Sequence, residues 1–269
     1  MKHVMLDAYG AEETQSNNIL HINELLNEIA YDLKLEPVAP PQLIPYYYGK
    51  VKEDVGITSF MLLRGGHITI HTFPMRECYF VDCVSEKDFD KDLFYDLFFE
   101  KLHFNKSKSF YQETDRNTTN PRMEEYNPQN DFGPHYMARI KRSEAPTMEF
   151  MFDFLENIVH EIDMDEITRA FVLKDTIKDP SYLSGIIIIA QSHISIHYSY
   201  KENKIYADCF SCAPFDFSTL NKSFGALGEV EISELIPRGT KHLYRAKSKI
   251  ENDTLLASTR WQRIVKKEE

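Results

Sequence analysis

Gly66-His67-Ile68-Thr69-Ile70-His71 returns 126 residues later as Ser192-His193-Ile194-Ser195-Ile196-His197. The same offset carries Asp82-Cys83-Val84-Ser85 onto Asp208-Cys209-Phe210-Ser211, and Ile57-Thr58 onto Leu183-Ser184, with no gap between the matches. Self-similarity at one fixed offset marks a duplicated structural unit, so the chain reads as two halves of similar build.

Outward from these motifs the halves share one pattern. Ile19, Leu20, Ile22, Leu25, Leu26, Ile29 and Ala30 recur at helical spacing in the first, as Met151, Phe154, Leu155, Ile158 and Val159 do in the second. Phe60–Leu63 leading into His67–His71, and Ile186–Ala190 leading into Ser192–His197, alternate like strands. Tyr79–Val84 and Ile205–Phe210 are the returning strands, and a second helix follows in half one through Phe94, Leu97, Phe98 and Leu102. The expectation is α+β: a duplicated two-layer unit, each an antiparallel sheet with helices on one face. Residues 1–115 form the first unit and 134–247 the second. The stretch 116–133, poor in periodicity, is the linker, and 248–269 is a polar C-terminal helix.

Composition narrows the class. The 269 residues carry 31 Lys+Arg against 42 Asp+Glu, a formal charge of −11, which lacks the basic footprint a nucleic-acid binder needs. The longest aliphatic run, Ile186–Ala190, is far short of the roughly 20 residues that cross a bilayer, so no membrane partner is expected. At the N-terminus, Asp7 comes too early for a signal-peptide apolar region. Four cysteines make no disulfide scaffold, and a cytoplasmic setting fits them.

Motif chemistry excludes several readings. His193 and His197 on one strand face stand about 13 Å apart at roughly 3.3 Å per residue, too far to share a metal ion. Cys209-Phe210-Ser211-Cys212 is a CxxC without a second pair to complete a zinc set, so no metal is expected. There is no Gly-rich phosphate loop and no GxSxG elbow. The asymmetry between the halves is more telling. Half two has Ser192 and Cys212 where half one has Gly66 and Glu86, so the structural part of the motif occurs twice and its reactive groups once.

The run Ser184-Gly185-Ile186-Ile187-Ile188-Ile189-Ala190-Gln191-Ser192-His193-Ile194-Ser195-Ile196-His197, followed by Asp208-Cys209-Phe210-Ser211-Cys212, resembles the core of the pyruvoyl-dependent S-adenosylmethionine decarboxylases. His71-Thr72-Phe73-Pro74 in half one is similar to the family's His-Thr-aromatic-Pro-Glu motif. Small members are homodimers of one unit. Fused members fold as a four-layer αββα sandwich with one active centre, and this chain looks like such a fusion. The resemblance implies self-cleavage between Gln191 and Ser192, with β-elimination leaving a covalent pyruvoyl group at residue 192 as cofactor. That ketone forms a Schiff base with the substrate amine and takes up the electron pair left by departing CO₂. Cys212 occupies the position that returns the proton.

The resemblance leaves two processing pairs open. The cross-unit arrangement of the family gives Thr58 and His71 from half one, which is favoured here, whereas linear matching gives Ser184 and His197. In this family the decarboxylation feeds spermidine and other polyamine synthesis. Three departures bear on the substrate. Gln191 replaces the usual Glu before the cut. Met75 or Lys201 replaces the Glu that holds the ribose hydroxyls, leaving Met75 and Glu77 as substrate-binding candidates in that turn. No aromatic stands clearly at the adenine-stacking position, for which Tyr46, Tyr47, Tyr48 or Tyr182 could substitute. The alternatives are a pyruvoyl decarboxylase of arginine or ornithine, or an unprocessed regulatory paralogue. The partners expected are a small-molecule substrate and a further copy of the chain in a homo-oligomer.

Overall fold

The computed structural model describes residues 1–47, 51–190 and 192–244. Gln191, Tyr48 and the expected helix at 248–269 lie outside the described residues.

The first half contains strands β1 (Lys2–Tyr9), β2 (Gln42–Tyr46), β3 (Gly56–Leu63), β4 (Gly66–Phe73), β5 (Cys78–Ser85) and β6 (Phe110–Asp115). Its helices are α1 (Glu13–Ser16), α2 (Ile19–Asp32) and α3 (Lys91–Lys101). The second half contains β7 (Gly133–Lys141), β8 (Phe171–Lys174), β9 (Tyr182–Ile189), β10 (Ser192–Ser199), β11 (Lys204–Phe210) and β12 (Glu229–Arg238). Its helices are α4 (Met148–Glu161), α5 (Phe217–Gly225) and the short α6 (Lys241–Tyr244). The strands form two antiparallel six-stranded sheets, in the orders β2-β3-β4-β5-β1-β6 and β12-β7-β11-β10-β9-β8. In both, the hairpin carrying the repeated motif is central.

Side-chain caps set where the long helices start. Asn18 accepts from the His21 N–H, Asp90 from Asp92 and Leu93, Thr147 from Phe150, and Asp216 from Ser218. α2 buries Ile22, Leu25, Leu26, Ile29 and Ala30 on its sheet, and α4 buries Met151, Leu155, Ile158 and Val159 on the other. The even-numbered Ile194 and Ile196 of β10 join the α4/α5 core, so by the two-residue period of a strand His193, Ser195 and His197 face the opposite way.

That opposite face meets the other sheet. Phe60 and Leu62 pack with Ile186 and Ile188, while Tyr9, Phe73, Phe80 and Phe132 pack with Phe210. The result is an α+β sandwich in four layers, α-β-β-α, with helices only outside. The segment between β6 and β7 is more than a solvated linker, because both its ends enter the inner layer: Arg116 and Phe132 are buried. Among the described residues no helix is long and apolar enough to cross a membrane.

Candidate active site

β9 and β10 are neighbouring antiparallel strands, and Ser192, the first residue of β10, pairs with Ile189 near the end of β9. Ser192 is 1% exposed. The chain leaving β11 folds back over this end of the pair and brings Cys212 against it. The Cys212 backbone N–H donates to Ser192 Oγ (2.9 Å), and its thiol donates to the Ala190 carbonyl (3.2 Å). Burial pushes the Cys212 thiol above its usual value, so it holds its proton at neutral pH. Cys212 packs on the aromatic cluster of Tyr9, Phe73, Phe80, Phe132 and Phe210, which joins both halves. The Arg76–Asp54 ion pair (2.6 Å) lies within electrostatic reach of the thiol.

Half one reaches toward Ser192 through histidines. Thr58 and His71 are register partners on β3 and β4, and Thr58 Oγ1 lies 3.0 Å from His71 Nδ1. His71 Nε2 crosses the layer to His193 Nδ1 (2.9 Å), and the two rings stack at 5.2 Å. Since His193 directly follows Ser192, the Thr58–His71 pair lies at the Ser192 end of the sandwich. Burial, then His193, push His71 well below the ordinary imidazole value, so it is neutral.

The same construction exists in the other sense. Ser184 Oγ lies 2.9 Å from His197 Nδ1, and His197 Nε2 lies 2.9 Å from His67 Nδ1. His197 stands five residues along β10 from Ser192, about 17 Å at roughly 3.3 Å per residue. His197 and Ser184 therefore serve the twin position in half one, where Gly66 and Glu86 replace Ser192 and Cys212. Tyr182 also sits there. Its register partner is Ser199, it interacts with Glu86, and a Cβ added to Gly65 would meet its ring at 2.7 Å. Tyr182 therefore packs against Gly65 at that end of the strands and is not brought near Ser192.

Of the remaining candidates, Met75 lies in the turn Pro74–Arg76 after β4, at the Ser192 end, and Glu77 follows it with φ at 52°. The Glu77 carbonyl accepts from the Ala11 N–H. Tyr46 ends β2 opposite Gly56, and Tyr47 is half exposed and donates to Asn17.

Sequence reasoning missed the polar inner layer around these pairs. Arg238, fully buried, donates to Asp7 Oδ1 (2.7 Å) and Asp82 Oδ1 (2.6 Å), and its NH1 also faces His135 Nδ1 (3.0 Å). Arg116, from the other half, lies 3.6 Å from Asp208 and 3.5 Å from His3 Nδ1. Each arginine thus crosses to the opposite sheet's repeated aspartate. Burial would raise Asp82, but Arg238 and then His135 hold its carboxyl well below the usual range. A signal was present: His-x-[Thr/Ser]-x-His alternating with Ile describes a strand buried on both faces, one of them polar.

One comparison with known proteins is silent, since no curated protein matches the chain. A family model does match, the one described as S-adenosylmethionine decarboxylase, over residues 2–117 and 137–228, once in each structural half. With that model matched in both structural halves and over most of the sequence, the chain belongs to the S-adenosylmethionine decarboxylase family.

Proposed function

We propose that the chain is a self-processing, pyruvoyl-dependent S-adenosylmethionine decarboxylase of polyamine synthesis, cut between Gln191 and Ser192. The observation that carries this reading is Ser192 at the start of β10, its hydroxyl fixed by the Cys212 N–H and the Cys212 thiol over the nearby Ala190 carbonyl.

Ser192 Oγ, held by a backbone donor that no side-chain change removes, attacks the preceding carbonyl and converts the peptide bond to an ester. Thr58 and His71, a neutral imidazole with a hydroxyl partner, manage the proton that the hydroxyl gives up. β-Elimination of the ester expels the Gln191 carboxylate as the end of the first chain and leaves dehydroalanine at residue 192, whose imine tautomer takes up water and releases ammonia to give the pyruvoyl group that begins the second chain. The pyruvoyl group supplies the carbonyl that withdraws electrons as CO₂ departs. Cys212, protonated and packed on an aromatic wall that excludes water, donates the proton that completes the product. Met75 in place of the ribose-binding Glu keeps arginine and ornithine in the substrate panel.

Intact mass under denaturing, reducing conditions tests the reading. In proportion to 191 and 78 of 269 residues, fragments of about 22 and 9 kDa out of 31.5 kDa are expected, the smaller blocked by a carbonyl at its N-terminus. CO₂ release should then be measured with S-adenosylmethionine, arginine and ornithine. A single uncut chain overturns the proposal.

A further inference from the structure

The inner layer holds six fully buried histidines, and the arginines sort them into two kinds. His3 Nδ1 faces Arg116 and His135 Nδ1 faces Arg238. A guanidinium only donates, so both rings accept at Nδ1 and carry their proton at Nε2. His3 Nε2 lies 3.4 Å from Asp82 Oδ1, whereas His135 Nε2 lies 3.6 Å from Asp208 Oδ2, beyond hydrogen-bond distance. With Nε2 protonated and Nδ1 facing an arginine, these two are the poorer ligands of the layer.

His67 and His193 differ. Each turns Nδ1 outward to another histidine, His197 and His71 respectively, both at 2.9 Å. Each leaves Nε2 buried with no hydrogen-bond partner, and Asp208 Oδ2 is orphaned beside them. These three atoms come from strands of both sheets and lie within 4.8 Å of one another, with His193 Nε2 at 3.3 Å from Asp208 Oδ2. Asp208 Oδ1 is already occupied, accepting from Ser195 Oγ at 2.7 Å, so one carboxylate oxygen is free to bind. The layer is also short of positive charge. Among the buried charged groups, four carboxylates (Asp7, Asp82, Asp208, Glu234) face three guanidiniums (Arg116, Arg139, Arg238).

We infer that His67, His193 and Asp208 form a binding site for one divalent transition metal between the two sheets. Two imidazoles and one carboxylate oxygen suit Zn(II), Co(II) or Fe(II) rather than Mg(II) or Ca(II). The surroundings have the outer shell such ligands require, since a ligating imidazole donates its second N–H to a neighbour. With Nε2 of His193 on the ion, its Nδ1–H donates to His71 Nε2, and His71 Nδ1–H donates to Thr58 Oγ1. On the other side His67 Nδ1–H donates to His197 Nε2, and His197 Nδ1–H donates to Ser184 Oγ. The ion therefore fixes both tautomer chains at once, including the one that ends at the Ser192 side, and adds a bond between the halves. The site is separate from the decarboxylation chemistry and does not depend on it.

The test uses the untagged full chain, stripped with a chelator, dialysed against Co(II) or Zn(II) and analysed for metal content. About one equivalent per chain is expected, with Co(II) visible absorption typical of nitrogen and oxygen ligands and a Tm that rises with Zn(II) concentration. H67Q and D208N should each lower affinity tenfold or more, whereas H160Q, at an exposed histidine, should not. Should the variants fail to fold, X-ray absorption on the wild-type Zn(II) form decides: two imidazoles and a carboxylate oxygen support the site, and a sulfur ligand overturns it. Absence of metal retention by the wild type, or equal retention in H67Q, also overturns it and leaves a bridging water in the layer.

Discussion

Cys212 shows how one residue's surroundings divide two duties between its atoms. Its backbone N–H holds Ser192 Oγ, and its thiol lies over the Ala190 carbonyl. C212A keeps the backbone donor, so chain cleavage should continue while kcat falls roughly 10²–10⁴-fold, the usual worth of a positioned acid. Its pH dependence follows from burial, which raises the thiol's pKa and extends the protonated, donating form upward in pH. Activity should therefore stay level through neutrality and decline only above the ordinary thiol value of about 8.5. A pH–rate profile whose alkaline limb lies below that value would remove Cys212 from the role. Thr58 and Ser184 provide a second residue-level contrast, because each pairs with a histidine but only Thr58 does so at the Ser192 end. T58V should slow cleavage about tenfold or more, measured as fragment appearance on a denaturing gel, and S184A should leave its rate near wild type.

At the scale of elements, the duplicated hairpins are related by sequence yet differ at their turns. A Cβ on Gly66, the counterpart of Ser192, would come within 1.9 Å of the Val84 carbonyl, although the β4–β5 and β10–β11 ladders start at equivalent pairs, His67 with Val84 and His193 with Phe210. G66S is thus expected to lower stability by about 1–3 kcal/mol, as overpacked sites do, and to produce no cut before residue 66. Thermal melting and fragment analysis of that variant check both. The same comparison explains what was readable beforehand. Helices α2 and α4 and the central hairpins carry strong periods because each has one apolar face on a large core. Edge strands β6 and β12 were not legible, since Phe110–Asp115 has no buried residue and Glu229–Arg238 buries Glu234, Leu235 and Ile236 in succession instead of alternating. In the site, Ser192 and Cys212 were legible by chemistry. The placement of Tyr182 and the cross-sheet histidine contacts were not, because those contacts join residues 122 and 130 apart and arise only when two sheets meet.

At the scale of the whole molecule, the proposed cut before Ser192 would sever the chain between two strands that are paired in the fold. β10, in the small fragment, keeps its ladders to β9 in the large fragment and to β11 in its own. β12 pairs with β7, which belongs to the large fragment, along nearly its full length. Arg238, at the end of β12, then reaches into the first sheet, binding Asp7, which is 231 positions away, together with Asp82 and the Val81 carbonyl. The two fragments should therefore elute as one species of the intact mass in native buffer and separate only in denaturant. Arg238 has a specific share in that cohesion. R238M leaves the Asp7 and Asp82 carboxylates buried without their cation, a loss on the order of 3–5 kcal/mol for a broken buried pair. Cleaved R238M should release the small fragment at a lower urea concentration than cleaved wild type, read by gel filtration across a urea series. Equal midpoints would mean that the strand ladders alone hold the processed halves together, with the arginine crossing contributing nothing to their assembly.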